Sequence, residues 1–223
     1  MTVKILELAA FFVSAAALCF GAVRLLKNEA PKYFKFFVCA EGCYVLEELW
    51  VIVNSLFGNG AQDGLVTVRL FGLFGCFCFM LSANVNEFDR VVDDGENTRA
   101  RLMALAAPAA LTAIFALYAF SSKNTLPQSA DILGFLSISP ALLVSYFDLK
   151  HLLLPRDAMG YLETIKGIDI LSLAFFAGNY IYPSAELDFS RVAMSVYDLV
   201  LALMLAVILI MCERGAKKWK ALT

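Results

Sequence analysis

The stretch Val192–Cys212, VAMSVYDLVLALMLAVILIMC, carries a single charged side chain, Asp198. A helix that spans the hydrocarbon core of a bilayer needs about 20 predominantly apolar residues, each adding ~1.5 Å. This stretch meets that requirement. It therefore predicts a membrane-spanning helix near the end of the sequence.

The remaining sequence repeats this pattern. The 223 residues are 61% hydrophobic and 17% charged, with a mean hydropathy of +0.73, whereas a soluble domain carries about 25% charged residues. The sequence predicts an all-α integral membrane protein, a single transmembrane domain over 1–223 that forms a seven-transmembrane-helix bundle. The predicted spans are 3–26, 33–57, 65–88, 102–120, 132–153, 165–182 and 192–212.

Breakers separate these spans. Turns are predicted at 28–31, 58–60, 93–95 and 183–184, where Gly, Asn, Asp and Pro are concentrated. Pro108 and Pro140 fall inside spans and are expected to kink them, as prolines in spanning helices do. The sixth span is the shortest, and its sequence leaves open whether it crosses the whole bilayer.

The orientation follows from the basic residues, which are enriched in cytoplasmic loops. Most of the 18 Lys and Arg residues fall in the first, third and fifth loops and in the tail. The opposite side, with the ends of the helices counted, has only Lys4, Arg69, Lys123 and Arg191. The bias predicts an outside N-terminus and a cytoplasmic C-terminus in a multi-pass protein of the cell membrane.

Charged residues at membrane depth are expensive, about 3 kcal/mol each on insertion scales, so they are candidate functional residues. Four are predicted at one level in the outer half of the bundle: Glu47, Glu48, Arg69 and Asp198. Polar partners for them are Tyr44, Asn179 and Tyr197. We expect these residues to form a ligand- or ion-binding site in which Arg69 balances the acids, although Arg69 is near enough to the interface to snorkel.

A second polar layer is predicted nearer the cytoplasmic side, from Glu41, Asn84 and Asp169. Glu41 and Glu48 lie seven residues apart and share one helix face, which predicts a polar track through the bundle. The alternative interpretation of both layers is helix packing, since polar side chains also join spanning helices.

Two segments resemble known seven-helix families. Glu87-Phe88-Asp89-Arg90-Val91-Val92 resembles the acidic-Arg signature of G-protein-coupled receptors, but the last helix has no NPxxY. Arg69 and Asp198 resemble the outer third-helix Arg and the seventh-helix Asp of microbial rhodopsins, which implies an N-out, C-in bundle.

The rhodopsin resemblance does not extend to the chromophore. The lysine that carries retinal would follow the Asp by one helical turn, where this chain has Ala202, and the third-helix counter-ion position falls near Gly72. A retinal Schiff base is excluded, and no cofactor is expected. The PQ-loop transporters share the topology, but Pro127-Gln128, in an outer loop, is the only such dipeptide.

The cysteines and the histidine do not predict a metal site. Cys19, Cys39, Cys43, Cys76, Cys78 and Cys212 all lie in apolar runs without a CxxC, which is typical of packed thiols. His151, the only histidine, is expected to meet solvent or lipid headgroups at a helix end. Hydrolase motifs such as HExxH and GxSxG are missing, so we expect no enzyme.

The sequence therefore favours a small membrane transporter or a ligand- or ion-sensing protein with a buried polar site. The expected partners are the lipid bilayer, a small-molecule or ion ligand and, for a sensor, another membrane protein; no nucleic acid is expected. The alternatives are a structural or accessory subunit and a rhodopsin-like bundle without the retinal lysine. An intramembrane enzyme is the least favoured.

Overall fold

We analysed a computed structural model of the chain. The structure describes residues 2–27, 30–57, 62–93, 96–121, 128–154, 161–185 and 191–220. For some residues within these ranges, Arg69 among them, the structure describes the backbone but not the side chain. These residues are 2, 54–57, 62–70, 115, 118–121, 128–138, 161, 180–185, 191 and 216–220. The described residues are helical apart from short connections, and none of them forms a strand.

The helices follow the apolar stretches closely. They are α1 (Thr2–Lys27), α2 (Lys32–Phe57), α3 (Gln62–Ala83), α4 (Asp89–Val92), α5 (Thr98–Ala104), α6 (Ala106–Ser121), α7 (Gln128–Leu153), α8 (Tyr161–Ala185) and α9 (Arg191–Lys220). A π-helical turn, Asn84–Phe88, joins α3 to α4 without a break. Among the described residues, three segments are long and apolar enough to cross a membrane: Val3–Lys27, Phe71–Val92 and Val192–Gly215.

Prolines account for two differences from the predicted spans. Pro108 has no N–H to donate to Ala104, so the predicted fourth span divides at Leu105 into α5 and α6. Pro183 lies in the last turn of α8, which ends at Ala185 rather than before the predicted turn. At about 37 Å, α8 is long enough to cross a bilayer, unlike the short sixth segment that the sequence predicted.

The helices pack in a closed order around a buried centre. α1 packs on α2, α2 on α3, α3 on α7, α7 on α8, α8 on α9 and α9 on α1, while α6 lies against α7 and α8. Many outward-facing side chains are large and apolar, for example Phe12, Phe71 and Leu117. A soluble bundle would place polar residues there, so the surface matches a membrane protein.

Candidate functional site

The predicted outer-layer residues on α2 point into the bundle. Glu47 and Glu48 are 1% and 3% exposed, and Tyr44 is also buried. The ring of Tyr44 packs edge-on against Phe175 of α8, with ring centroids 5.8 Å apart. The Glu residues are therefore neither lipid-facing nor at the surface.

Two more residues predicted for the outer layer form hydrogen bonds in the C-terminal half of α8. The Asn179 amide donates a hydrogen bond to the Phe175 carbonyl at 2.9 Å, and the Tyr197 hydroxyl donates to the Gly178 carbonyl at 2.9 Å. Asp198 is half-buried beside Tyr197. Tyr44, Asn179 and Tyr197 thus converge on one stretch of α8, while the side chain of Arg69 lies outside the described residues.

The predicted inner layer belongs to a larger hydrogen-bonded network. The Asn84 amide donates to a carboxylate oxygen of Asp148 at 3.3 Å. Asp148 in turn lies within hydrogen-bonding reach of Asp169. His151 Nδ1 lies 3.2 Å from Asp169 Oδ2. Two predicted residues, Asn84 and Asp169, are therefore brought together by two residues that the sequence analysis did not select.

The network continues toward the predicted cytoplasmic end through α4. His151 Nε2 lies 3.5 Å from Asp89 Oδ1, which is long for a hydrogen bond. Asp89 also forms an ion pair with Lys150. The Lys150 ammonium bonds Asp93 at 3.0 Å and lies 5.0 Å from the centroid of the Phe147 ring. The charge on Lys150 is thus held by two carboxylates and an aromatic face.

Arg101 links this network to the protein surface. Its guanidinium donates two hydrogen bonds to one Asp93 oxygen, at 2.8 and 3.0 Å, and its side chain is 41% exposed. These hydrogen bonds raise the pKa of Arg101 above its ordinary value, so the guanidinium stays charged. Charged and polar side chains therefore extend from exposed Arg101 to fully buried Asp148, with the 3.5 Å His151–Asp89 contact as the longest link.

The expectation for His151 was wrong. His151 is completely buried, and its neighbour Lys150 is 2% exposed. The sequence predicted that His151 meets solvent or lipid headgroups at a helix end. The helix end is instead covered by α4 and α5, and the charge of Lys150 is compensated by Asp89 of α4 and by Asp93, which follows α4.

A π-turn places the acidic residues. The Asp89 N–H bonds the Asn84 carbonyl, five residues back, instead of the usual four. In a regular α-helix these side chains would point about 140° apart; the wider turn brings both toward α7, where Asn84 meets Asp148 and Asp89 meets Lys150. Such single π-turns often occur at functional sites.

Glu41, the third predicted inner residue, stands apart from the network. It is 0% exposed, and neither carboxylate oxygen has a hydrogen-bond partner among the described residues. Cys76 of α3 is one of its neighbours. A buried carboxyl group without a partner is costly when ionised, so Glu41 is a second candidate for proton binding.

An aromatic layer separates the inner network from the outer residues. Phe77 of α3 contacts Phe175 and Phe176 of α8, with centroids 6.1 and 5.1 Å away, and all three rings are fully buried. Along α8, Phe175 lies about 9 Å and Asn179 about 15 Å beyond Asp169. The bundle thus has two polar layers with an apolar barrier between them.

Six network residues were missed as site residues by the sequence analysis. They are Asp89, Asp93, Arg101, Asp148, Lys150 and His151. One signal was available: Asp89 and Asp93 are four residues apart, and Asp148 and His151 are three apart, so the members of each pair share a helix face in a regular helix. No pattern in the sequence indicated the π-turn or which acids would meet the buried lysine.

All six cysteines are free; Cys76 and Cys212 are buried, and Cys19 and Cys39 are exposed on the apolar surface. Among the residues that the structure describes, no group of three or more His, Cys, Asp or Glu side chains is arranged to hold a metal ion. No protein family, no curated protein and no solved structure matches this chain.

Proposed function

We propose that this chain is a small, non-catalytic membrane transporter with seven spanning helices, an outside N-terminus and a cytoplasmic C-terminus. The observation that carries the proposal is the pair of buried polar layers separated by Phe77, Phe175 and Phe176. Ionisable groups are retained at such depth at a high energetic cost, most often along the path of an ion or substrate.

The outer layer is the proposed ligand site. Glu48 and Asp198 would bind a proton, a cation or the amine of a small molecule, with Arg69 balancing their charge and Tyr44 and Asn179 orienting the ligand. The inner layer, with Asp169, would exchange ions with the cytoplasm. The aromatic rings would keep the two layers from opening together, as alternating access requires.

Removing the barrier tests the proposal. Purified protein is reconstituted into vesicles that contain the pH-sensitive dye pyranine, a pH gradient is imposed, and valinomycin with potassium clamps the voltage. We expect wild-type vesicles to hold the gradient about as well as empty ones. Phe175→Ala/Phe176→Ala should dissipate it several-fold faster, because water can then join the two polar layers.

The matched control is Phe74→Ala, which removes a ring of α3 that is 41% exposed on the outer surface. It should not leak. Folding of each variant is checked by size-exclusion chromatography in detergent. A folded double variant that holds the gradient as well as Phe74→Ala would contradict the transporter proposal.

The alternative is a structural or accessory subunit, and one observation favours it. Lys150 joins α7 to α4 and to Asp93, and Arg101 of α5 bonds the same carboxylate, so these charges also fix helix packing. A sensor is a third option. Without any leak, a pH-dependent change in the fluorescence of Trp50 would favour a sensor, and its absence would favour the subunit.

A further inference from the structure

We infer that Asp148 and Asp169 form a proton-binding site, in which the two carboxyl groups hold one exchangeable proton between them and His151 connects it to the cytoplasmic side. The inference deepens the proposed function, on which its biological meaning rests, by naming the ion as a proton. Both residues are at most 1% exposed, on neighbouring helices α7 and α8.

The hydrogen-bond partners of Asp148 and Asp169 indicate a shared proton. One oxygen of Asp148 accepts from Asn84, and one oxygen of Asp169 faces His151. The remaining oxygens, Asp148 Oδ2 and Asp169 Oδ1, are buried and lack a hydrogen-bond donor among the described residues, although the two carboxyl groups are close neighbours on α7 and α8. Two carboxyl groups can bond each other only when one carries a proton.

The charges of the network also balance when the carboxyl pair holds one proton. Asp89 and Asp93 face Lys150, Asp93 also faces Arg101, and Asp169 faces His151. Asp148 faces no cation at ion-pair distance in the described part of the chain. Among these ion-paired groups and Asp148, one proton on the carboxyl pair and an imidazolium at His151 make three negative charges meet three positive charges. Two ionised carboxylates would leave a buried net negative charge, which is strongly unfavourable.

Lys166 of α8 is a further cation near the pair, but it forms no ion pair with either carboxylate in the described part of the chain. The polar and titratable groups around the pair are Asn84 at the π-turn, His151 on α7, Lys166 on α8, Asp89 on α4 and Cys212 on α9. Lys166 donates to the Leu154 carbonyl at 2.9 Å rather than to a carboxylate. The buried thiol of Cys212 carries no positive charge.

His151 provides the route for exchange. Its Nδ1 faces Asp169 and its Nε2 faces Asp89, whose side chain is 27% exposed. The imidazolium releases its Nε2 proton to Asp89 and then to water, and the electron pair of that N–H bond stays on the nitrogen. The neutral ring then flips, presents the bare nitrogen to Asp169 and accepts the proton of the pair. Acidification reverses both steps.

Infrared spectroscopy of the full-length protein in lipid nanodiscs tests the site directly. A protonated carboxylic acid has a C=O absorption that a carboxylate lacks. We expect such a band at neutral pH, and we expect part of it to shift when the protein is labelled with ¹³C-aspartate. This measurement needs no variant, so it remains decisive if a substitution prevents folding. It also distinguishes Asp148 and Asp169 from buried Glu41.

Variants then locate the proton and its route. Asp148→Asn or Asp169→Asn should abolish the aspartate component, while the matched control Glu163→Gln, an exposed acid of α8, should leave it unchanged. In His151→Gln the component should persist, but its hydrogen–deuterium exchange should slow on the order of a hundredfold, the usual scale of a lost general base.

Three results would overturn the inference. They are an acid band without an aspartate component, a component that survives both Asp→Asn substitutions, and wild-type exchange rates in His151→Gln. The thermal stability of the protein can also be compared in sodium chloride and in choline chloride. If sodium chloride stabilises the protein more and the aspartate acid band is missing, the ion bound at the site is sodium instead of a proton. The infrared band reports the proton whether or not the protein transports, so this inference and the proposed function can fail separately.

Discussion

The Lys150 ammonium lies 3.0 Å from the Asp93 carboxylate, and the two side chains are only 3% and 1% exposed. Asp93 comes one residue after α4, and Lys150 lies in the last turn of α7. A charge at the end of one helix is thus neutralised inside the protein by a connection that precedes α5. This ion pair ties the residue that follows α4 to the last turn of α7.

The Lys150–Asp93 pair should be more important for stability than the Arg101–Asp93 pair. Lys150→Met leaves the carboxylates of Asp89 and Asp93 without their buried cation, which should cost roughly 3–5 kcal/mol. Arg101→Gln should cost much less, because its side chain is 41% exposed and exposed pairs contribute little. The unfolding free energy in mixed detergent micelles measures both. Equal losses would show that Lys150 is not the central cation, and Asp93→Asn should partly rescue Lys150→Met.

Gly72 should be required for the packing of α3 on α2. A methyl group at Gly72 would lie 2.7 Å from Glu47 Cβ and 3.2 Å from the Cys43 carbonyl, so one backbone would have to move. Gly72→Ala should destabilise the protein by about 1–3 kcal/mol. In Gly42→Ala the new methyl group meets Leu18 at an ordinary 3.7 Å, and this control should be neutral or slightly stabilising. Thermal unfolding in detergent compares the two; a tolerated Gly72→Ala would be inconsistent with the close approach.

The predicted orientation can be tested by labelling single cysteines in a cysteine-free background. Lys4 and Arg99 are both exposed, and the distribution of basic residues puts them on opposite sides. An impermeant maleimide added to intact cells should label Lys4→Cys and spare Arg99→Cys until the membrane is permeabilised. Labelling of Arg99→Cys from outside would reverse the topology.

The outer layer should bind its ligand through charge rather than shape. Glu48→Gln and Asp198→Asn keep side-chain size, so both variants should fold with near wild-type thermal stability. Both should lose any stabilisation of wild type by lowered pH or by added monovalent cations and small amines. Arg69→Ala should be the least stable of the three, because it leaves buried carboxylates uncompensated. Unchanged responses in both neutral variants would assign the outer layer to helix packing.

The sequence by itself determined that the chain is helical and apolar enough for a membrane, because spanning helices depend on local composition and length. It also indicated that five polar residues face the interior of the bundle, because a polar side chain inside an apolar stretch needs a partner within the protein. They are Glu41, Glu47, Glu48, Asn84 and Asp169. Their burial agrees with that reasoning. The exact partners did not follow from it.

Only the tertiary structure decided which charged side chains neutralise each other. The sequence predicted that His151 meets solvent or headgroups at a helix end. The packing of α4 and α5 over that end instead buries His151 and its neighbour Lys150 in a network of charged side chains. The π-turn at Asn84 changed which face Asp89 presents, and a shift in helical register leaves no local trace in composition. A charge on one helix is neutralised by whichever distant side chain packing brings within about 4 Å, and that distance depends on contacts between helices, which no single stretch of sequence specifies.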